Sequence, residues 1–145
     1  MTWLLTAGGG FLLLATWIRN GGTRRAGASR FPPALIFGHF ALAAAGLIVW
    51  IVYLFTDQHA LAWTAFVLLL PVALLGFTML ARWIPTYRAT AAVHAGTATS
   101  ATGARPVPAD TPAEKHFPVA VVAGHGLFAV ATVVLVLLAA LEIGG

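Results

Sequence analysis

Two histidines in this chain sit in matched apolar settings. His39 ends the stretch Phe31-Pro32-x-Ala34-x-x-x-Gly38-His39, and His125 ends Phe117-Pro118-x-Ala120-x-x-x-Gly124-His125. A neutral imidazole offers a lone pair from one ring nitrogen and a proton from the other, so paired rings of this kind point to metal-ligand or proton chemistry. The remaining chemistry-bearing types are scattered. His59 lies in a short polar turn, His94 in an Ala/Thr-rich stretch, and His116 just before Phe117. No nucleophile–base arrangement, phosphate loop or carboxylate pair accompanies them, which argues against an independent hydrolase or phosphotransferase. With no cysteine in the chain, disulfides and thiolate chemistry are excluded.

The elements that position these rings are apolar. Hydrophobic residues make up 60% of the 145-residue chain and charged residues 8%, with a mean hydropathy of +0.92. A water-soluble domain carries about a quarter charged residues, so most of this surface must meet lipid. Four runs approach the roughly 20 residues a helix needs to cross hydrocarbon: about Trp3–Ile18, Ala34–Thr56, Leu61–Ile84 and Val119–Ile143. They are apolar all round and not alternating, which favours helices over barrel strands. The expected fold is an all-α integral membrane bundle of four transmembrane helices, a single domain. Pro71 is expected to kink the third helix. The stretch at about 89–115, rich in Ala, Thr, Gly and Pro, reads as a flexible cytoplasmic loop.

Charge sets the expected orientation. Arg19, Arg24, Arg25 and Arg30 lie between the first two runs, Arg82 at the end of the third, and Arg88, Arg105 and Lys115 between the last two; these are all the basic residues. Such asymmetry is the positive-inside pattern: two basic loops in the cytoplasm of a cell-membrane protein, both chain ends and the Asp57/His59 turn outside. The basic pI of about 10.8 is thereby explained without a nucleic-acid partner. The N-terminal run lacks the basic start of a cleavable signal peptide.

The chain also repeats itself. Gly10-Phe11-x-x-Leu14-Ala15-x-Trp17-Ile18 recurs 66 residues later as Gly76-Phe77-x-x-Leu80-Ala81-x-Trp83-Ile84, and the Phe-Pro…Gly-His block recurs 86 residues later. The organisation implied is two copies of one helical hairpin, about 3–56 and 61–143, related by a pseudo-two-fold axis along the membrane normal. Trp17 and Trp83 then read as matching interface-belt residues.

His39 follows Pro33 by six residues and His125 follows Pro118 by seven, about 9 to 10 Å into the bilayer from the cytoplasmic side at 1.5 Å per residue. At that depth an imidazole must face inward and find a partner. Small residues surround each: Gly38 and Gly124 before, Ala43 and Ala129 one turn on, Gly46 and Thr132 two turns on. They define a slot for a flat guest. Two inward imidazoles at one level suit a b-type haem, whose iron takes axial histidines without any thiolate. Its propionates are expected near Arg19, Arg30, Arg82, Arg88, Lys115 or His116. Two other readings stay open: a cofactor-free accessory subunit packed on its small-xxx-small seams, and a metal-binding or transport protein.

From about Phe31 to Ile51 and from Lys115 to Gly145 the chain resembles uncharacterised small Ala-rich four-helix membrane proteins of high-GC bacteria. In arrangement it resembles b-type membrane cytochromes, in which histidines from separate helices clamp haem inside a bundle. That resemblance implies electron transfer with a quinone or a redox complex as partner.

Overall fold

The computed structural model describes residues 1–24, 29–97 and 112–142, with the side chains of 90 and 93–97 outside the description. Four α-helices, α1 (Thr2–Arg19), α2 (Pro33–Thr56), α3 (His59–Thr97) and α4 (Val119–Ala140), account for most of it, and a short 3₁₀ turn, Ala113–His116, precedes α4. The boundaries follow from local chemistry. Pro33 takes the first position of α2 and Pro118 caps α4, where a missing N–H costs nothing. Asp57 closes α2 in the left-handed conformation, φ 53°, and Gly21 adopts φ 84° just after α1.

Helices α2, α3 and α4 are long and apolar enough to cross a membrane. They mark the chain as a membrane protein. Helix α1, 18 residues with three consecutive glycines, is not one of the three. Helix α3 departs from expectation. It runs 39 residues, continuing as helix through Pro71 and Pro85 to Thr97. His94 therefore lies on a helix and not in a tether, and residues 113–116 fold back as a turn. What remains of the expected flexible loop, 98–111, lies outside the described residues.

Helix α2 packs along α3, α1 along α4, and α3 against α4, whereas α1 and α2 approach each other at few points. Among the described residues α2 and α4 make no close backbone approach and stand diagonally opposed. The wide α1–α2 side is filled by rings: Trp3 with Trp50, Phe11 with Phe40, and Trp17 with Phe37, centres 5.9, 5.4 and 6.2 Å apart. The positions 86 residues after Phe37, Phe40 and Trp50 are Ala123, Gly126 and Val136. Smaller side chains on α4 let α3 come close, so the two sides differ in width because the two sequences differ in bulk.

Two apolar clusters stack along the axis. One, at the end where the basic connections meet, joins Trp17, Phe31, Ile36, Trp83 and Ala113. The other, toward the Asp57 turn, joins Trp3, Ala65, Leu69 and Val136. Trp17 is fully buried and Trp83 is 8% exposed. They are core residues and not belt residues, because each indole N–H finds a polar partner inside: Trp17 donates to Ser29 Oγ at 2.9 Å and Trp83 to the Glu114 carbonyl at 3.2 Å.

Candidate functional site

The histidine pair lies between these clusters. His39 on α2 and His125 on α4 face each other with ring centres 6.3 Å apart and planes inclined at 66°. Each ring is anchored from behind. His39 Nδ1 is 3.0 Å from the carbonyl oxygen of Val72 on α3, and His125 Nδ1 is 2.8 Å from that of Thr6 on α1. A carbonyl only accepts, so each Nδ1 carries the proton and donates it. In the neutral ring Nε2 is then a bare lone pair. Neither Nε2 has a hydrogen-bond partner among the described residues. Two acceptors cannot bond each other, which leaves the pair suited to an electrophile: a metal, a proton or a donor molecule.

The anchoring obeys the sequence offsets. Val72 follows Thr6 by 66 residues, as Gly76 follows Gly10, and His125 follows His39 by 86. Gly10 and Gly76 make room for the rings. A Cβ added at Gly10 would stand 3.2 Å from His125 Cε1, and one at Gly76 would stand 3.4 Å from His39 Cε1. Gly9 also touches His125, with a Cβ position 3.2 Å from the histidine Cβ. Reading the sequence for polar residues passes over Gly9, Gly10, Gly76 and the two carbonyls. The signal was nevertheless present, because Gly10 and Gly76 open the repeated Gly-Phe block.

The small residues expected around the rings divide into two groups. A Cβ at Gly38 or Gly124 would meet nothing within 4 Å, so no neighbouring helix packs on either. The small-xxx-small seams anticipated there do not form helix contacts. Ala43 and Ala129 are half-buried. Gly46 and Thr132 are already taken. The Trp3 ring lies on Gly46, 3.4 Å from a Cβ position there, while Thr132 Oγ1 donates to the Phe128 carbonyl at 2.7 Å and lies 3.3 Å from Thr6 Oγ1. These two close the space on the Asp57-turn side and are not part of an open slot, since Trp3 and Thr6 reach across from α1.

A second polar cluster, absent from the expectations, closes the other end. Glu114 is fully buried. Its Oε2 accepts from Ser29 Oγ at 2.8 Å and its Oε1 from the Arg30 backbone N–H at 2.7 Å. Ser29 Oγ in turn accepts from Trp17 and from the Phe31 N–H at 3.0 Å, which exhausts its bonding capacity. Arg82 donates to the Arg30 carbonyl at 2.9 Å. At the opposite end His59 Nδ1 lies 3.2 Å from Glu142 and Trp63 donates to His59 Nε2 at 3.1 Å, an exposed contact.

Among the described residues no group of three or more His, Cys, Asp or Glu side chains is placed to hold a metal ion. A bare divalent ion between His39 and His125 would lack most of its coordination shell. Comparison with family models, curated proteins and solved structures finds no match.

Proposed function

We propose that the chain is a membrane b-type haem protein serving electron transfer, with His39 and His125 as the two axial ligands. The supporting observation is the anchored pair itself. An imidazole nitrogen sits about 2 Å from a first-row metal and roughly 1 Å from its own ring centre, so two rings flanking one ion stand about 6 Å apart. The 6.3 Å separation fits. Ligating imidazoles characteristically donate their second nitrogen to a carbonyl or carboxylate, which fixes the tautomer and raises basicity; both rings do so here. Haem also answers the shortage of protein donors, because the macrocycle brings four nitrogens and asks the protein for two.

When bound, haem supplies reversible one-electron chemistry. The chain's own residues orient it: Thr6 and Val72 aim the rings, Gly9, Gly10 and Gly76 keep side chains out of their way, and Gly38 and Gly124 leave space beside the ligand helices. Arg82, Arg30 and Lys115, at the end where the basic connections meet, suit the propionates.

The same reading takes all four helices as spans, α1 crossing alongside α4, and takes the repeated blocks as a duplicated hairpin. The paired anchors support it: a histidine of each copy bonds the first helix of the other. The basic connections then face the cytoplasm, and the Asp57 turn and both chain ends face outward. A single centre does not bridge the bilayer, so electrons must come from or go to a quinone or a neighbouring redox complex.

A cofactor-free accessory subunit is the competing reading. The histidine–carbonyl bonds favour it to the extent that they tie α2 to α3 and α4 to α1 without any guest. Optical spectra of the purified protein separate the two: the haem reading requires a Soret band that His39→Ala and His125→Ala each remove, and the accessory reading requires a colourless protein.

A further inference from the structure

We propose that Glu114 is a positioning residue that holds His39 and His125 at equal depth, by clasping together the lead-ins of the two helices that carry them.

Helices α2 and α4 are diagonal, with no close backbone approach among the described residues, so their relative height is not fixed by packing against each other. Their lead-ins do meet. The first segment, Ser29–Phe31, lies directly on Glu114, which binds the Ser29 hydroxyl through one oxygen and the Arg30 N–H through the other. Phe31 and Phe117, the first residues of the two Phe-Pro starts, pair with ring centres 6.1 Å apart. From this junction the count is the same on both sides: eight residues from Phe31 to His39 and from Phe117 to His125, with α2 starting at Pro33 and α4 at Val119, six residues before each histidine. Six residues of helix rise about 9 Å. Equal rise from one clasped level brings both imidazoles to one level.

The carboxylate is suited to this work. It is fully buried, both oxygens are engaged, and its own backbone carbonyl takes the Trp83 indole, so α3 is joined to the clasp while α1 is joined through Trp17 and Ser29. All four helices thus meet at one residue, three of them through its side chain or the lead-in it holds and α3 through its backbone carbonyl. Removing the carboxylate leaves the Ser29 hydroxyl and the Arg30 N–H without their common acceptor, and a buried donor without a partner is costly enough to shift a lead-in.

The proposal rests on the haem reading for its optical readout alone. The chain has no cysteine, so a single Ala113→Cys, at a fully buried clasp position, reports clasp opening by maleimide labelling whether or not haem is present. The full-length protein in detergent is compared as wild type, Glu114→Gln, Glu114→Ala and Ser29→Ala, each with and without Ala113→Cys. Glu114→Gln keeps one acceptor oxygen and sets its NH2 against the other donor, so it is expected to fall between wild type and Glu114→Ala in both spectrum and labelling rate. Glu114→Ala and Ser29→Ala are expected to label at least tenfold faster and to convert a substantial fraction of the iron to five-coordinate high-spin. If Glu114→Ala does not accumulate, Ser29→Ala carries the test. Fast labelling with an unchanged low-spin spectrum would overturn the proposal, as would slow labelling in both alanine variants. A wild type without haem but with labelling that follows the clasp would instead sink the haem reading and leave the clasp standing.

Discussion

His39 and His125 come from helices with no close backbone approach among the described residues, yet their rings stand 6.3 Å apart, each with Nδ1 tied to a carbonyl on a helix other than its own. This relationship makes the pair a ligand site in the proposed reading. It also exposes the site to changes well away from the rings.

Glycine substitutions should separate ring contacts from bystanders. Gly10→Ala places a Cβ 3.2 Å from His125 Cε1, so that ring must give by a few tenths of an ångström, whereas Gly76→Ala places one 3.4 Å from His39 Cε1, in ordinary contact. Gly10→Ala should alter the ligand-field spectrum or lower haem occupancy severalfold, Gly10→Val should do more, and Gly76→Ala should do less. Gly8→Ala, with nothing within 4 Å, should match wild type. Pigment-to-protein ratios for the three positions check this.

Among the described glycines, Gly22 should be the least replaceable on structural grounds. A Cβ there would run into the Trp17 indole, at the hub that links Trp17, Ser29 and Glu114. Gly22→Ala should lower stability by about 1–3 kcal/mol, the range for overpacking a filled core. Thermal unfolding in detergent, with Gly8→Ala as control, measures it.

Thr132→Val should cost far less. It removes one hydroxyl that bonds Phe128 and faces Thr6, and side-chain hydrogen bonds inside membrane proteins average about 0.6 kcal/mol. Loss of haem binding in this variant would mean that Thr132 has a larger part than the geometry gives it.

Orientation can be read with single cysteines, because the native chain has none. Gln58→Cys should label from the outside of intact cells with an impermeant maleimide, and Arg24→Cys only after lysis. The reverse pattern would invert the proposed topology.

Much of the helical content was legible in the sequence because lipid demands long apolar runs, and three of the four helices are long and apolar enough to cross a membrane. The histidine pair was legible because the Phe-Pro…Gly-His block recurs. Other features were hidden for identifiable reasons. The extension of α3 beyond Ile84 crosses Pro85, which reads as a stop in one dimension although a helix can continue through it. Trp17 and Trp83 looked like interface residues because their polar partners, Ser29 and the Glu114 carbonyl, are remote in sequence. Glu114 belongs to no motif, and its burial depends on segments 85 residues apart. The blocking of Gly46 by Trp3 is likewise a contact between helices that no spacing rule supplies.

The most direct test is an absorption spectrum with iron analysis on the purified full-length protein, beside His39→Ala, His125→Ala and His94→Ala. The proposed function predicts a Soret band, reduced α and β bands of a two-imidazole haem, and about one iron per chain, lost in the first two variants and kept in the third. A colourless protein that fails to take up added haem, or full haem retention in both His39→Ala and His125→Ala, would contradict it.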